Sequence, residues 1–270
     1  MSADAADAGE ARVAAGYDAV YEALPRSATF QLIWRAHALG EGYPEGFEHI
    51  SFLTLAEMRR MAEELRLAAG ASLVDLGCGM GGPGLWIARE TGAGLTGIDL
   101  SGVAVEHARR RAEGRGLSAV ARFATGSFAQ TGLIAASADG AMSVDALQYA
   151  PDKRAALREA ARVLRPGGRL VFACFELEPA VVAGLPVLGI DPVDDYGPLL
   201  EQAGFDVTSY EETAGWLERL TAAYQGLVDA KGALTEEMGE GACNALLGEV
   251  SLTLQLRPYR RRVFVSATRR

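Results

Sequence analysis

Residues 73–81 read Leu-Val-Asp-Leu-Gly-Cys-Gly-Met-Gly, and a second segment, Gly97-Ile98-Asp99-Leu100-Ser101, follows them. The first is an apolar strand running into a glycine-rich turn, with a helix expected over 83–91. The second is a short strand that ends on a carboxylate. Glycine lets the backbone pass close to a ligand in conformations that a Cβ forbids. A carboxylate at the end of the next strand can accept hydrogen bonds from ribose hydroxyls. Together the two segments build a nucleoside-binding crevice.

Two kinds of cofactor compete for it. Gly77-Cys78-Gly79-Met80-Gly81-Gly82 satisfies the dinucleotide pattern G-x-G-x-x-G, with Asp99 at roughly the expected ~20 residues. Asp75, two positions before the first glycine, shifts the balance. It would repel a pyrophosphate seated over the turn and suit a cationic ligand such as S-adenosylmethionine. At these residues the chain resembles the class I S-adenosylmethionine-dependent methyltransferases, whose first motif has the form V-D-x-G-C-G-x-G. A second point of resemblance is Leu164-Arg165-Pro166-Gly167-Gly168, the turn after a helix that launches an apolar strand. The quinone-pathway C-methyltransferases and the small-molecule methyltransferases of specialised metabolism are the nearest in flavour.

The rest of the pattern agrees with a doubly wound α/β sheet. Strands are expected at 72–76, 94–99, 119–124, 139–144, 168–175, 205–210 and 260–268. Helices are expected at 83–91, 101–114, 152–164 and 195–203. The resemblance implies a Rossmann-like, seven-stranded, mostly parallel sheet whose final strand is antiparallel, between the fifth and sixth. One domain over 13–270 follows an acidic tail, 1–12, expected to be disordered. Its core is 70–211 and 258–268; N-terminal helices (13–69) and an insertion (212–257, helical at about 212–231 and 235–249) commonly form a lid in such enzymes.

Composition narrows the partners. With 270 residues and a net charge of −9, the chain suits one large domain and argues against a nucleic-acid substrate. Three widely spaced cysteines, Cys78, Cys174 and Cys243, offer no metal spacing and no disulfide framework. No metal is expected. The N-terminus lacks an apolar signal core, and no run approaches the ~20 apolar residues of a membrane span, so a cytoplasmic protein with no membrane partner is expected.

The resemblance also implies site residues. Gly77, Gly79 and Gly81 would line the methionine half of S-adenosylmethionine, with Asp75 near its ammonium. Asp99 would take the ribose hydroxyls and Leu100 would pack on the adenine. Gly126, Ser127 and Phe128 end the third strand, and Ser127 stands where the family usually has an acidic residue for the adenine amino group. Val144 ends the fourth strand, and Asp145 and Gln148 follow it; the resemblance places all three at the cofactor. There the family often carries His-His-x-Pro-Asp, whereas this chain has Gln148-Tyr149-Ala150-Pro151-Asp152. Neither glutamine nor tyrosine, with its ordinary pKa of ~10, readily takes a proton at neutral pH.

Tyr149 and Gln148 are therefore expected to position the acceptor. A base, if needed, would come from His37, His49, Glu176 or Asp191. The lead function is methyl transfer to a small, largely apolar molecule, for which the aromatics Trp34, Tyr43, Phe47, Phe52, Trp216 and Tyr224 and the apolar stretch 180–192 are suited. Oxygen, nitrogen and carbon acceptors all fit, and one needing little base assistance, carbon or amine, fits the missing histidines best. The alternatives are a reaction other than methylation in the same fold, such as a cyclisation, and a NAD-linked oxidoreductase, which Asp75 and the lack of a substrate domain disfavour.

Overall fold

The computed structural model describes residues 14–182 and 191–270. The expected tail and most of the apolar stretch after the fifth strand lie outside the described residues. Strands β1 (Ser72–Leu76), β2 (Gly94–Asp99), β3 (Ala121–Thr125), β4 (Ala138–Val144), β5 (Leu164–Leu177), β6 (Phe205–Glu212) and β7 (Arg260–Arg269) form one sheet in the order β3-β2-β1-β4-β5-β7-β6. The first five pair in parallel, and β7 runs antiparallel between β5 and β6, as the resemblance implied. The central strands are buried along nearly their whole length because helices cover both faces.

Helices α3 (Leu55–Leu65), α4 (Gly82–Thr91) and α5 (Gly102–Gly114) pack on one face, and α6 (Lys153–Val163) and α7 (Gly197–Gln202) on the other. Their ends carry local signals. Thr54 and Glu57 form a reciprocal capping box on α3, and the Ser101 and Asp152 side chains cap α5 and α6. The α3 helix stops at Leu65, short of Gly70, because Arg66 adopts a left-handed conformation with φ of 51°.

Two expectations change in shape. Arg165–Gly168 is no free turn but a detour inside β5: Leu164 pairs with Ala138, and pairing resumes with Arg169 opposite Gly140. The insertion holds three helices rather than two stretches, α8 (Trp216–Asp229), α9 (Lys231–Met238) and α10 (Glu240–Leu256). Gly239, at φ 85°, breaks α9 from α10, and α10 runs past the expected end at 249.

Two N-terminal helices, α1 (14–23) and α2 (Ala28–Trp34), meet this insertion. Glu237 of α9 accepts from the Ser27 and Thr29 hydroxyls at the start of α2, at 2.5 and 2.8 Å. Trp34 packs beside Tyr224 of α8 with ring centroids 6.1 Å apart. The two helical groups thus stand together at one end of the sheet. Between β1 and β4 the chain order reverses, and the carboxyl ends of those strands open a crevice there.

Candidate active site

A cavity of about 1000 Å³ fills the crevice and runs up to the helices above it. At its floor the glycine turn after β1 is stitched to β2, since Gly77 N and Cys78 N donate to Ile98 O at 2.8 and 3.0 Å. Gly77 and Gly79 have φ of 72° and 50°. A Cβ on Gly77 would fall 2.5 Å from that of Ala146, and one on Gly79 would fall 2.9 Å from Tyr21 Oη. Only glycine keeps this turn open.

Asp75 borders the cavity, is 2% exposed, and has no hydrogen-bond partner among the described residues. Burial, with Asp99 nearby, pushes its pKa up to about 8. A buried carboxylate without a partner is costly unless a ligand supplies the missing donor or charge. Asp99 is oriented rather than loose. Its Oδ2 accepts from Gly79 N at 2.7 Å and its Oδ1 from Ser101 N at 2.9 Å, which leaves lone pairs for a diol. Leu100, Gly126, Ser127, Phe128 and Val144 also line the cavity. Ser127 Oγ accepts from Gln130 N at 3.2 Å, so part of its capacity serves a local turn.

These features fit S-adenosylmethionine. The unpartnered Asp75 could answer its positive charge, Asp99 could accept from its ribose, and the open turn leaves room for the close approach of its methionine half.

Three residues assigned to the cofactor or to catalysis have other surroundings. Gly81 does not line the cavity; it caps α4, where a Cβ would press on Ala108 and Phe123 at 3.1 Å. Asp145 borders the cavity but spends its carboxylate on Arg262 Nε, 2.9 Å from Oδ1, and on Phe52 N, 2.8 Å from Oδ2. His37 is exposed in the π-helical turn after α2, away from the cavity lining. The helical face shared with Trp34 does not extend to it because that turn is wound more widely.

The remaining base candidates are also occupied. His49 lines the cavity, and its Nδ1 accepts from Ser51 N at 3.1 Å, which puts the ring proton on Nε2. Burial, together with Arg262 and Arg111, pushes its pKa down to about 3. His49 therefore presents a neutral N–H donor, not a base. That donor, like Trp34 Nε1, is buried without a partner among the described residues. Glu176 is bound by Tyr210 and by Arg261 Nε at 2.8 Å, and Asp191 accepts from Lys153 N at 3.0 Å. Neither lines the cavity.

Gln148 and Tyr149 do line it. The Gln148 amide donates to Asp145 O at 2.6 Å and so holds its own loop. Lys153, 1% exposed, fastens the same loop through Gln148 O and Ala150 O at 2.8 and 2.9 Å. Tyr149 Oη donates to Glu249 Oε1 at 2.6 Å. Sequence reasoning named no role for Glu249. The available signal was a carboxylate on an otherwise apolar stretch, Ala245-Leu246-Leu247-Gly248-Glu249-Val250.

Residues 74–172 match the methyltransferase domain family. Methyltransferase GfsG of Streptomyces halstedii is 34% identical over 159 residues, which cover 55% of this chain and 57% of that protein's length. The 27-O-demethylrifamycin SV methyltransferase of Amycolatopsis mediterranei is 31% identical over 215 residues, 74% of this chain and 75% of that one. Among solved structures, the [4+2]-cyclase SpnF superposes with a TM-score of 0.75 at 24% identity, over 95% of this chain and 94% of its own.

Proposed function

The chain belongs to the methyltransferase family, and from that premise we propose that it moves a methyl group from S-adenosylmethionine to an apolar, oxygen-bearing metabolite of polyketide or terpenoid kind. The observation that carries this reading is the single cavity joining two chemistries. Its floor holds Asp75, Asp99 and the open glycine turn; its roof is aromatic, with Phe30, Trp34, Phe52, Phe175 and Tyr224. At about 1000 Å³ it stands at the upper end of the ~300–1,000 Å³ usual for ligand pockets, which suits two guests side by side.

Relatives whose names mention a rifamycin, squalene and sterols support a guest of polyketide or terpenoid kind. The sulfonium of the donor is already a good leaving group. Alignment and water exclusion then suffice for most of the acceleration, worth up to ~7–11 kcal/mol in well-oriented systems.

The helices at 14–39 and 216–256 that roof the cavity serve this reading as a lid that excludes water. The test is incubation of the purified protein with trideuteromethyl-labelled S-adenosylmethionine and a panel of hydroxylated macrolactones and terpenoids. A product heavier by one labelled methyl group is expected. A product of unchanged mass, formed only when the cofactor is present, would overturn methyl transfer in favour of a rearrangement or cyclisation.

A further inference from the structure

Glu249 lies on the face of α10 turned to the cavity. Ala245, Gly248 and Leu252, four and one residues before it and three after it, line the same space. Among the residues that α10 gives to the cavity, it is the ionisable one. Of the carboxylates that border the cavity, Asp75 and Asp99 sit at the glycine turn, and Asp145 is bound to Arg262. Glu249 stands apart from all three, under the aromatic roof.

Its surroundings leave it poised. Tyr149 Oη donates to Oε1 at 2.6 Å, while Tyr17 Oη reaches the two oxygens only at 3.3 and 3.4 Å. A carboxylate offers about four lone-pair sites. Oε2 thus keeps capacity for a donor brought by a guest. Tyr149 belongs to the loop after β4, at the crevice where the cofactor is read to sit, so its hydrogen bond ties Glu249 to that end of the cavity. Burial raises the Glu249 pKa, and the Tyr149 hydrogen bond opposes this rise.

On the methyl-transfer reading above, we propose that Glu249 is the general base and that the acceptor atom is a hydroxyl oxygen. Glu249 Oε2 removes the hydroxyl proton while an oxygen lone pair forms the bond to the methyl carbon. The electron pair of the breaking carbon–sulfur bond stays on sulfur, and the sulfonium becomes a neutral thioether. Glu249 returns its proton to water when the cavity opens. An amine acceptor fits less well: beside a desolvated carboxylate it would be held as an ammonium, whose lone pair is not available for attack.

The experiment has three arms. Calorimetry of S-adenosylmethionine on the wild-type chain comes first, and absence of binding there defeats the methyl-transfer reading rather than the role of Glu249. In the second, the linkage of the labelled methyl group is read by NMR, and an O-methyl ether is expected. Glu249→Gln should then lower kcat by about 10²-fold or more, with cofactor affinity kept within about twofold. A methyl group on carbon or nitrogen, or a variant that keeps wild-type turnover, overturns the proposal. In the third arm, decanol and decane are titrated into protein loaded with S-adenosylhomocysteine, read by tryptophan fluorescence. The preference for decanol should fall about tenfold in Glu249→Leu, the equivalent of one lost hydrogen bond. An unchanged preference overturns the proposal even where no acceptor in the panel reacts.

Discussion

Arg262 Nε lies 2.9 Å from Asp145 Oδ1, so the last strand of the chain clamps the loop that follows β4. Arg262 is fully buried, and its Nη1 also donates to Glu57 Oε1 at 2.8 Å. Asp145 in turn accepts from Phe52 N, next to the segment that carries His49. One guanidinium therefore holds β7, the β4 loop and the start of α3 in one arrangement around the cavity.

Breaking such a pair from one side leaves the partner charges uncompensated in the interior. Arg262→Met should cost about 3–5 kcal/mol of stability, measured by urea unfolding. The double variant Arg262→Met/Asp145→Asn should recover part of that loss. A cost below about 1 kcal/mol, as for an exposed pair, would show that water reaches the cluster.

Asp99 leads to a prediction about the cofactor. Its Oδ1 and Oδ2 are fixed by Ser101 N and Gly79 N, so the acceptor geometry is set before a ligand arrives. Losing charge-assisted bonds worth ~1.5–3 kcal/mol should weaken S-adenosylmethionine binding by about one to two orders of magnitude in Asp99→Ala. Unchanged affinity by calorimetry, in a variant with a wild-type circular dichroism spectrum, would remove Asp99 from the site.

Asp75 should make that binding depend on pH. In the ligand-free fold its pKa is about 8, so it holds a proton at neutral pH that the unfolded chain, at about 3.9, does not hold. Its contribution to stability is then full below about pH 4 and is lost as pH rises through about 8. A cationic ligand favours the ionised form. Binding of S-adenosylmethionine at pH 7 should release a proton, and affinity should rise with pH across this window. Calorimetry in buffers of different ionisation enthalpy reads the proton directly, and Asp75→Asn should abolish the release. Proton uptake on binding would contradict the assignment.

Tyr149→Phe separates a positioning phenol from a base. The Tyr149 hydrogen bond lowers the pKa of Glu249, so its loss raises that pKa further. Glu249 acts only when ionised, and the acid limb of the kcat profile should move to higher pH. Turnover should fall on the acid side of the profile and recover as pH rises. A phenolic base would instead cost ~10²–10⁴-fold at every pH.

The parts of this molecule that rest on local chemistry were legible in the sequence. The glycine turn, Asp75, Asp99 and the alternation of strand and helix identify the sheet and its crevice because their meaning lies within a few neighbouring residues. The position of β7 came through the resemblance. What escaped were pairings across long separations. Glu249 meets Tyr149 and Tyr17 only because α10 folds back over the sheet. Nothing near Asp145 or Arg262 in the chain announces their ion pair. His49 looked like a base by residue type; the backbone N–H of Ser51 decides its tautomer, and that contact exists only in the folded loop. The break at Gly239 was also missed, so α10 began and ended in the wrong place and the face carrying Glu249 was not seen.

The central claim is that one cavity holds the methyl donor at the glycine turn and the acceptor beneath the aromatic roof. A crystal structure of the protein with S-adenosylhomocysteine tests it most directly. The account predicts the ribose hydroxyls on Asp99, the amino group beside Asp75, and the thioether sulfur facing the Tyr149–Glu249 side of the cavity. A ligand bound elsewhere, or one in the crevice with its sulfur turned away from Glu249, would contradict it.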